Sequence, residues 1–230
     1  MPDWHPATVA QSSPAADGLT DLVLDIGGTP LVGTHQHPGQ YARLRLPGMQ
    51  ESLFAIASPP EPQATRWEFL LKEGSPLCTA LIGLPPGARV DVTPAEGKGF
   101  PLEKARGHDL LLFATGSGIS AIRSVIASIR RERDGWGRVT LYFGARTPGA
   151  FAYWDELHEW EAGGVRVVRT VSQPGASGWQ GLTGYVQGHL GEEPVQDAFA
   201  FLCGQSSMVQ GVMATLKERG VPREHISLNY

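Results

Sequence analysis

Residues 109–121 constrain this chain more than any other stretch. Leu110, Leu111, Leu112, Phe113 and Ala114 form an unbroken apolar run, the pattern of a parallel strand buried on both faces. The run leads directly into Gly116-Ser117-Gly118-Ile119-Ser120-Ala121, a G-x-G-x-x-A turn. Ile119, Ile122, Val125, Ile126 and Ile129 then recur at helical spacing. Strand, glycine turn and amphipathic helix in succession predict a βαβ unit, because parallel strands need a crossover connection. Free N–H groups and the dipole at the helix start suit a pyrophosphate, and glycines let the backbone approach it. The competing reading of the bare pattern is a tight strand-to-helix turn with no ligand.

The alternation continues with a strand over 139–143, a helix over 151–160, and strands over 165–171 and 198–202. A last amphipathic helix carries Met208, Val209, Val212, Met213 and Leu216 on one side and is closed by Gly220. This predicts a doubly wound α/β parallel sheet over residues 104–230. Residues 1–103 differ. Short β-like runs at 22–26, 40–46, 52–57, 67–71 and 89–92 are broken by Gly27-Gly28, Pro47-Gly48 and Pro86-Gly87, which predicts an antiparallel barrel or sandwich as a separate domain.

Nineteen basic against 23 acidic residues, with no Lys/Arg block, point away from nucleic acid and anionic membranes as partners. The apolar runs are far shorter than the roughly 20 residues of a membrane helix. The first residues lack the positive flank and apolar core of a secretory signal, so a cytoplasmic protein is expected. Two cysteines, Cys78 and Cys203, are too few for a disulfide scaffold, a zinc site or a protein-held iron-sulfur cluster, so redox chemistry here requires an organic cofactor. No G-x-S-x-G elbow is present, and His35 with His37 reads as a pair of solvated histidines rather than a metal site.

The order of the segments resembles the ferredoxin-NADP reductase superfamily over nearly the whole chain. The matching pieces are Pro38-Gly39-Gln40-Tyr41, Phe54-Ala55-Ile56-Ala57-Ser58, Pro85-Pro86-Gly87, Ala114-Thr115-Gly116-Ser117-Gly118-Ile119, Tyr142-Phe143-Gly144-Ala145-Arg146, Leu202-Cys203-Gly204 and Met208. In detail they look most like a plant and bacterial branch of single-polypeptide flavin reductases. The resemblance implies an N-terminal Greek-key β-barrel holding FAD and a C-terminal domain binding NADH or NADPH. Hydride would pass from NAD(P)H to the flavin, and electrons onward to an acceptor protein or small molecule. A regulatory protein that keeps the scaffold without turnover is the alternative.

The family's Arg-x-Tyr-Ser segment, which lies against the flavin, falls here on Ser52, Phe54 and Ala55. Phe54 keeps a ring for stacking, while the cation and the hydroxyl are lost. The resemblance assigns the flavin to Phe54 and to main-chain N–H groups of Ala55, Ile56, Ala57 and Ser58. It further suggests a phosphate contact from Thr79 in a loop, with Lys72 offsetting the missing Arg; an ordinary loop or cap hydroxyl and a surface lysine are the competing readings. On the nucleotide side it assigns Gly116, Ser117, Gly118, Ile119, Ser172, Tyr185, Gly204 and Met208 to binding. Thr115 and Cys203 would line the nicotinamide pocket, and Tyr230 would gate the flavin face. Arg146, where NAD-selective folds place an acidic residue, suits either a 2'-phosphate or a solvated loop, so the nucleotide stays open.

Overall fold

The computed structural model describes residues 2–229. Its first half is a six-stranded antiparallel sheet: β1 (His5–Ala16), β2 (Leu19–Asp25), β3 (Tyr41–Arg45), β4 (Ser52–Ala55), β5 (Arg66–Lys72) and β6 (Arg89–Val92) in the order β4-β3-β6-β1-β2-β5. The two edges meet. Ile56 bridges Phe69, and the Ala57 N–H donates to the Glu68 carbonyl at 2.8 Å, so the sheet curls into a barrel without a free edge there. Alternate residues point inward, with Leu22, Leu24, Ala42, Leu44, Trp67, Phe69, Leu71, Val90 and Val92 forming one buried cluster. A short helix, α1 (Pro76–Ile82), lays Leu77 and Leu81 on that core. Ser75 caps it, its Oγ accepting from the Cys78 N–H at 3.1 Å.

The second half is a parallel sheet. Strands β7 (Leu110–Thr115), β8 (Val139–Ala145), β9 (Val165–Val171), β10 (Leu182–Thr183), β11 (Phe199–Cys203) and β12 (Ile226–Leu228) lie in the order β10-β9-β8-β7-β11-β12. Helices α2 (Ile119–Arg130) and α3 (Trp154–Ala162) pack on one face; α4 (Ser206–Glu218) packs on the other. The sheet is therefore doubly wound, as the alternation predicts. On α2 the apolar stripe Ile119, Ile122, Val125, Ile126 and Ile129 is wholly buried. Each such side chain contributes roughly 1.5–3 kcal/mol when removed from water, which explains why the helix follows the strand so directly. Among the described residues no helix is long and apolar enough to cross a membrane.

One apolar layer joins the two halves. Leu19, Leu70 and Phe100 from the barrel side belong to the same buried cluster as Ile119, Phe143 and Phe201, and the Phe100 and Phe201 rings stack at 4.8 Å. Beside this layer lies a charged knot. Arg123 on α2 pairs with Glu68 of β5 and with Glu156 of α3 at 2.9 Å, and its guanidinium sits 4.8 Å from the Tyr153 ring centre. Asp21 of β2 completes it, with a buried carboxylate oxygen that has no hydrogen-bond partner among the described residues. Burial, reinforced by Glu68, raises the Asp21 carboxyl to about 6.

Several expectations need correction. His35, expected to be solvated, is 3% exposed. The longest strand, β1, carries no readable β pattern, because Pro6, Pro14 and its polar residues obscure it. The helix expected from 151 starts at Trp154, because Tyr153 takes a left-handed φ of 58° that a helix cannot include. The strand expected over 52–57 ends at Ala55, where the chain turns to close the barrel. Thr79 lies within α1, not in a loop.

Candidate functional site

In the parallel sheet the chain runs outward from β7 through β8 and β9 to β10 on one side, then crosses back to β11 and β12 on the other side of β7. Open α/β sheets bind ligands at such a switch point, beyond the strand C-termini. A cavity of about 770 Å³ opens there, lined by Thr115, Gly116, Gly144, Arg146, Thr170 and Tyr185 of the parallel half and by Asp17, Gly18, Leu19, Lys72 and Glu73 of the barrel. The barrel wall is held in place by the tip of the β1–β2 hairpin, where the Asp17 N–H donates to the Gly149 carbonyl at 2.9 Å.

The two glycines of the turn do different work. Gly116 has φ +54°, faces the cavity, and a Cβ there would meet nothing within 4 Å. Gly118 faces inward, where a Cβ would collide with the Cys203 carbonyl and come within 2.8 Å of the Gly204 nitrogen. The reading of Gly118 as a glycine that admits a ligand to the backbone is thus corrected: what excludes a side chain there is the chain's own β11 terminus. Ser117 turns its carbonyl to the Ser120 hydroxyl at 2.8 Å, and Ile119 is fully buried in the core. Neither lines the cavity.

Across the switch point, the Thr115 Oγ1 accepts from the Gln205 N–H at 3.1 Å. A Cβ on Gly204 would overlap that hydroxyl and approach the Met208 side chain to 2.7 Å, so this strand end requires glycine. Met208 is 6% exposed yet lines the cavity. Cys203 is buried one residue earlier, and burial pushes its thiol up to about 12, so it stays a neutral thiol at ordinary pH.

At the cavity mouth Arg146 is exposed and its Nε donates to the Gln173 Oε1 at 2.8 Å, leaving both terminal nitrogens without a partner among the described residues. The Ser172 N–H is spent on the Ala145 carbonyl at 3.0 Å. Tyr185 is 71% exposed, available for stacking. Deeper in, Thr170 and Gln187 line the cavity and each carries a buried side-chain oxygen without a partner. Such atoms are costly unless a ligand or water meets them, so the lining fits a molecule that carries hydroxyl groups, as a nucleotide's ribose does.

On the barrel side the proposed flavin contacts fare unevenly. Phe54 is half-buried, resting on the barrel core. The Ile56 and Ala57 N–H groups, expected to serve the flavin, are instead committed to the Gln40 and Glu68 carbonyls at 3.0 and 2.8 Å, because closing the barrel requires them. The Ser58 hydroxyl accepts from the Glu68 N–H at 3.3 Å and its carbonyl from the Ser124 hydroxyl at 2.9 Å, tying it to α2. Ala55 packs against the layer between the halves. Thr79 is exposed on α1 and does not line the cavity, whereas Lys72 does. Tyr230 lies outside the described residues.

Sequence reasoning did not reach Asp17, Glu73, Thr170, Gln187 or Gln205. The Asp17-Gly18 pair is a hairpin signal that announces one of them; the others are brought to the cleft only by tertiary folding.

A closed antiparallel barrel facing the switch point of a doubly wound sheet, with a glycine turn in the cleft, defines a two-module nucleotide-binding oxidoreductase scaffold. The family profile described as an oxidoreductase NAD-binding domain matches residues 112–214. Ferredoxin--NADP reductase B of Sorangium cellulosum is 32% identical, with 82% of each chain covered. Fruit protein pKIWI502 of Actinidia deliciosa is 33% identical over 97% of this chain and 76% of its own. A solved ferredoxin NADP+ reductase from Neisseria gonorrhoeae, with bound FAD and NADP, superposes with a TM-score of 0.79 over 99% of both chains at 18% identity, a likeness of fold. The chain belongs to the ferredoxin-NADP reductase family.

Proposed function

We propose that this protein is an NAD(P)H-dependent flavin oxidoreductase that takes hydride from NADH or NADPH onto FAD and passes electrons to an acceptor protein or small molecule. The observation that carries the reading is the cleft itself: an open glycine turn at the β7–β11 switch point faces a barrel wall across one cavity. Residues 1–103 form the flavin module and 104–230 the nucleotide module. When bound, the flavin supplies the two-electron chemistry. The chain's own residues bind and orient.

Gly116 lets the pyrophosphate approach the backbone, and Arg146 and Tyr185 receive the adenosine end at the mouth. Thr170 and Gln187 meet polar groups of the nucleotide with their unpartnered oxygens. Thr115, fixed by its bond to Gln205, lines the inner end, and the neutral Cys203 with Gly204 backs it from the end of β11. Lys72 supplies the barrel-side cation in place of the family's Arg, and Phe54 supplies the ring. Two unpaired cysteines fit a reducing compartment, so we place the protein in the cytoplasm.

Family membership favours turnover over a regulatory role. The test is anaerobic titration of the FAD-loaded protein with NADH and with NADPH, followed by the visible absorbance of the flavin. Bleaching by either nucleotide is expected. A chain that takes up no FAD, or whose bound FAD neither nucleotide bleaches, refutes the reading.

A further inference from the structure

A second cavity, of about 420 Å³, shares no lining residue with the cleft. It lies toward the opposite, N-terminal end of the parallel strands, beside the end of α2 and the segments that precede β7 and β8. Its walls come from three places: the barrel loop at 36–38 with Pro60, the connector at 98–106, and the residues from Ser128 to Trp136. Its volume is within the range of small-molecule sites.

The lining has two chemical characters. Phe100 and Trp136, 1% and 7% exposed, close its base, with Phe201 stacked on Phe100 at 4.8 Å and the Arg106 guanidinium 5.3 Å from the Trp136 ring centre. Around them stand Lys98, Lys104, Arg106 and Arg131 against Glu103 and Glu132. The arginines are already engaged, Arg106 with Glu132 and with Glu103 at 3.6 Å, and Arg131 with Glu61. Lys98 and Lys104 are exposed and have no carboxylate partner among the described residues. The Trp136 Nε1 is buried without an acceptor, although a buried indole N–H normally finds one. Aromatic base, unspent cations and an orphan donor converge on one type of molecule.

We propose that this cavity binds a small organic anion, a planar apolar body bearing a carboxylate or phosphate. The anionic group meets Lys98 and Lys104, the apolar body rests against the margins of Phe100 and Trp136, and a ligand oxygen accepts the indole N–H. Because the site is separate from the nucleotide cleft, its occupant does not compete with NAD(P)H, and the inference stands apart from the redox reading.

The test is calorimetric titration of the full chain with phenyl phosphate and with 2-naphthoate, with and without excess NAD+. The two probes distinguish phosphate from carboxylate recognition. At least one should bind with a Kd below about 1 mM, unaffected by NAD+. The double substitution Lys98→Glu with Lys104→Glu touches only exposed side chains; it should keep the Tm and weaken binding by at least about tenfold. Trp136→Phe keeps a smaller aromatic ring, removes the indole N–H, and should weaken binding several-fold. Absence of binding for both probes, equal binding by the charge-reversed variant, or competition with NAD+ would each overturn the proposal.

Discussion

Replacing Asp21 with Asn should make the protein more stable above neutral pH and leave it little changed in acid. Asp21 shares the buried knot with Glu68, Glu156, Arg123 and Tyr153, three carboxylates around one guanidinium. Burial and Glu68 raise its carboxyl from 3.8 to about 6. The fold therefore holds the Asp21 proton more tightly than the unfolded chain does. By linkage, its contribution is most favourable below 3.8 and is lost as pH rises to about 6, then stays constant. At about 1.36 kcal/mol per tenfold, the full effect reaches about 3 kcal/mol, of which about half has accrued by pH 5. Solvent reaching part of the side chain screens this, so a net gain of about 1–3 kcal/mol is expected for Asp21→Asn at pH 8. Urea denaturation of both proteins at about pH 5 and pH 8 measures it. A stability difference that does not grow between these two conditions, or an Asn variant less stable at pH 8, would refute the assignment of strain to this carboxylate.

Removing the cation has the opposite sign: Arg123→Met strands Glu68 and Glu156 and should cost about 3–5 kcal/mol in the same urea assay at pH 8, with Arg123→Lys recovering part of it. Gly116→Val should fold with a modest loss of about 1–2 kcal/mol from its positive φ, while its side chain enters the cleft and raises the KM for NAD(P)H. Gly118→Ala should instead lower the Tm sharply, because its Cβ meets backbone rather than ligand. Arg146→Ala should lower kcat/KM for NADPH by about tenfold and for NADH by less than about twofold, since a single exposed cation on a 2'-phosphate contributes modestly; equal losses with both nucleotides in steady-state assays would remove Arg146 from 2'-phosphate recognition.

The parallel half was the more legible in sequence because its signals are local. The bounds of β9 match the Val165 to Val171 run, and α2 buries the five isoleucine and valine positions read from its periodicity. In the barrel, β6 also matches, but β1 did not register: its residues alternate between the barrel interior and solvent, and Ala7 and Val9 are too small and too sparse to mark the inward face. For the site the division is similar. Gly116, Thr115 and Gly204 lie at strand ends, where position along the chain implies position in the fold. Lys72 and Asp17 reach the cleft only because Leu19 pairs with Lys72 across β2 and β5, a register that no local pattern encodes. The knot around Arg123 is further removed still, since it joins β2, β5, α2 and α3.

The cleft's geometry also bears on how a flavin module can work without the family's Arg and Ser at Ser52 and Ala55. A cation near an anionic cofactor need not come from the same strand; it needs only to face the same space. Lys72 ends β5, whose other edge closes the barrel against the chain leaving β4, so it stands on the cavity wall from a neighbouring strand. On the proposed reading, a lysine there would supply charge without the bidentate fork of an arginine, and so would hold a phosphate with less orientation. Loss of a hydroxyl at Ala55 removes one donor from the flavin's surroundings, and the Ile56 and Ala57 amides cannot replace it because they close the barrel. On the proposed reading, orientation of the flavin ring would rest on apolar contact with Phe54 and on the fixed spacing of the two halves. That spacing is set by the Phe100–Phe201 stack and the Arg123 pairs, which makes the seam between the modules, rather than any single polar contact, the element that positions donor and acceptor.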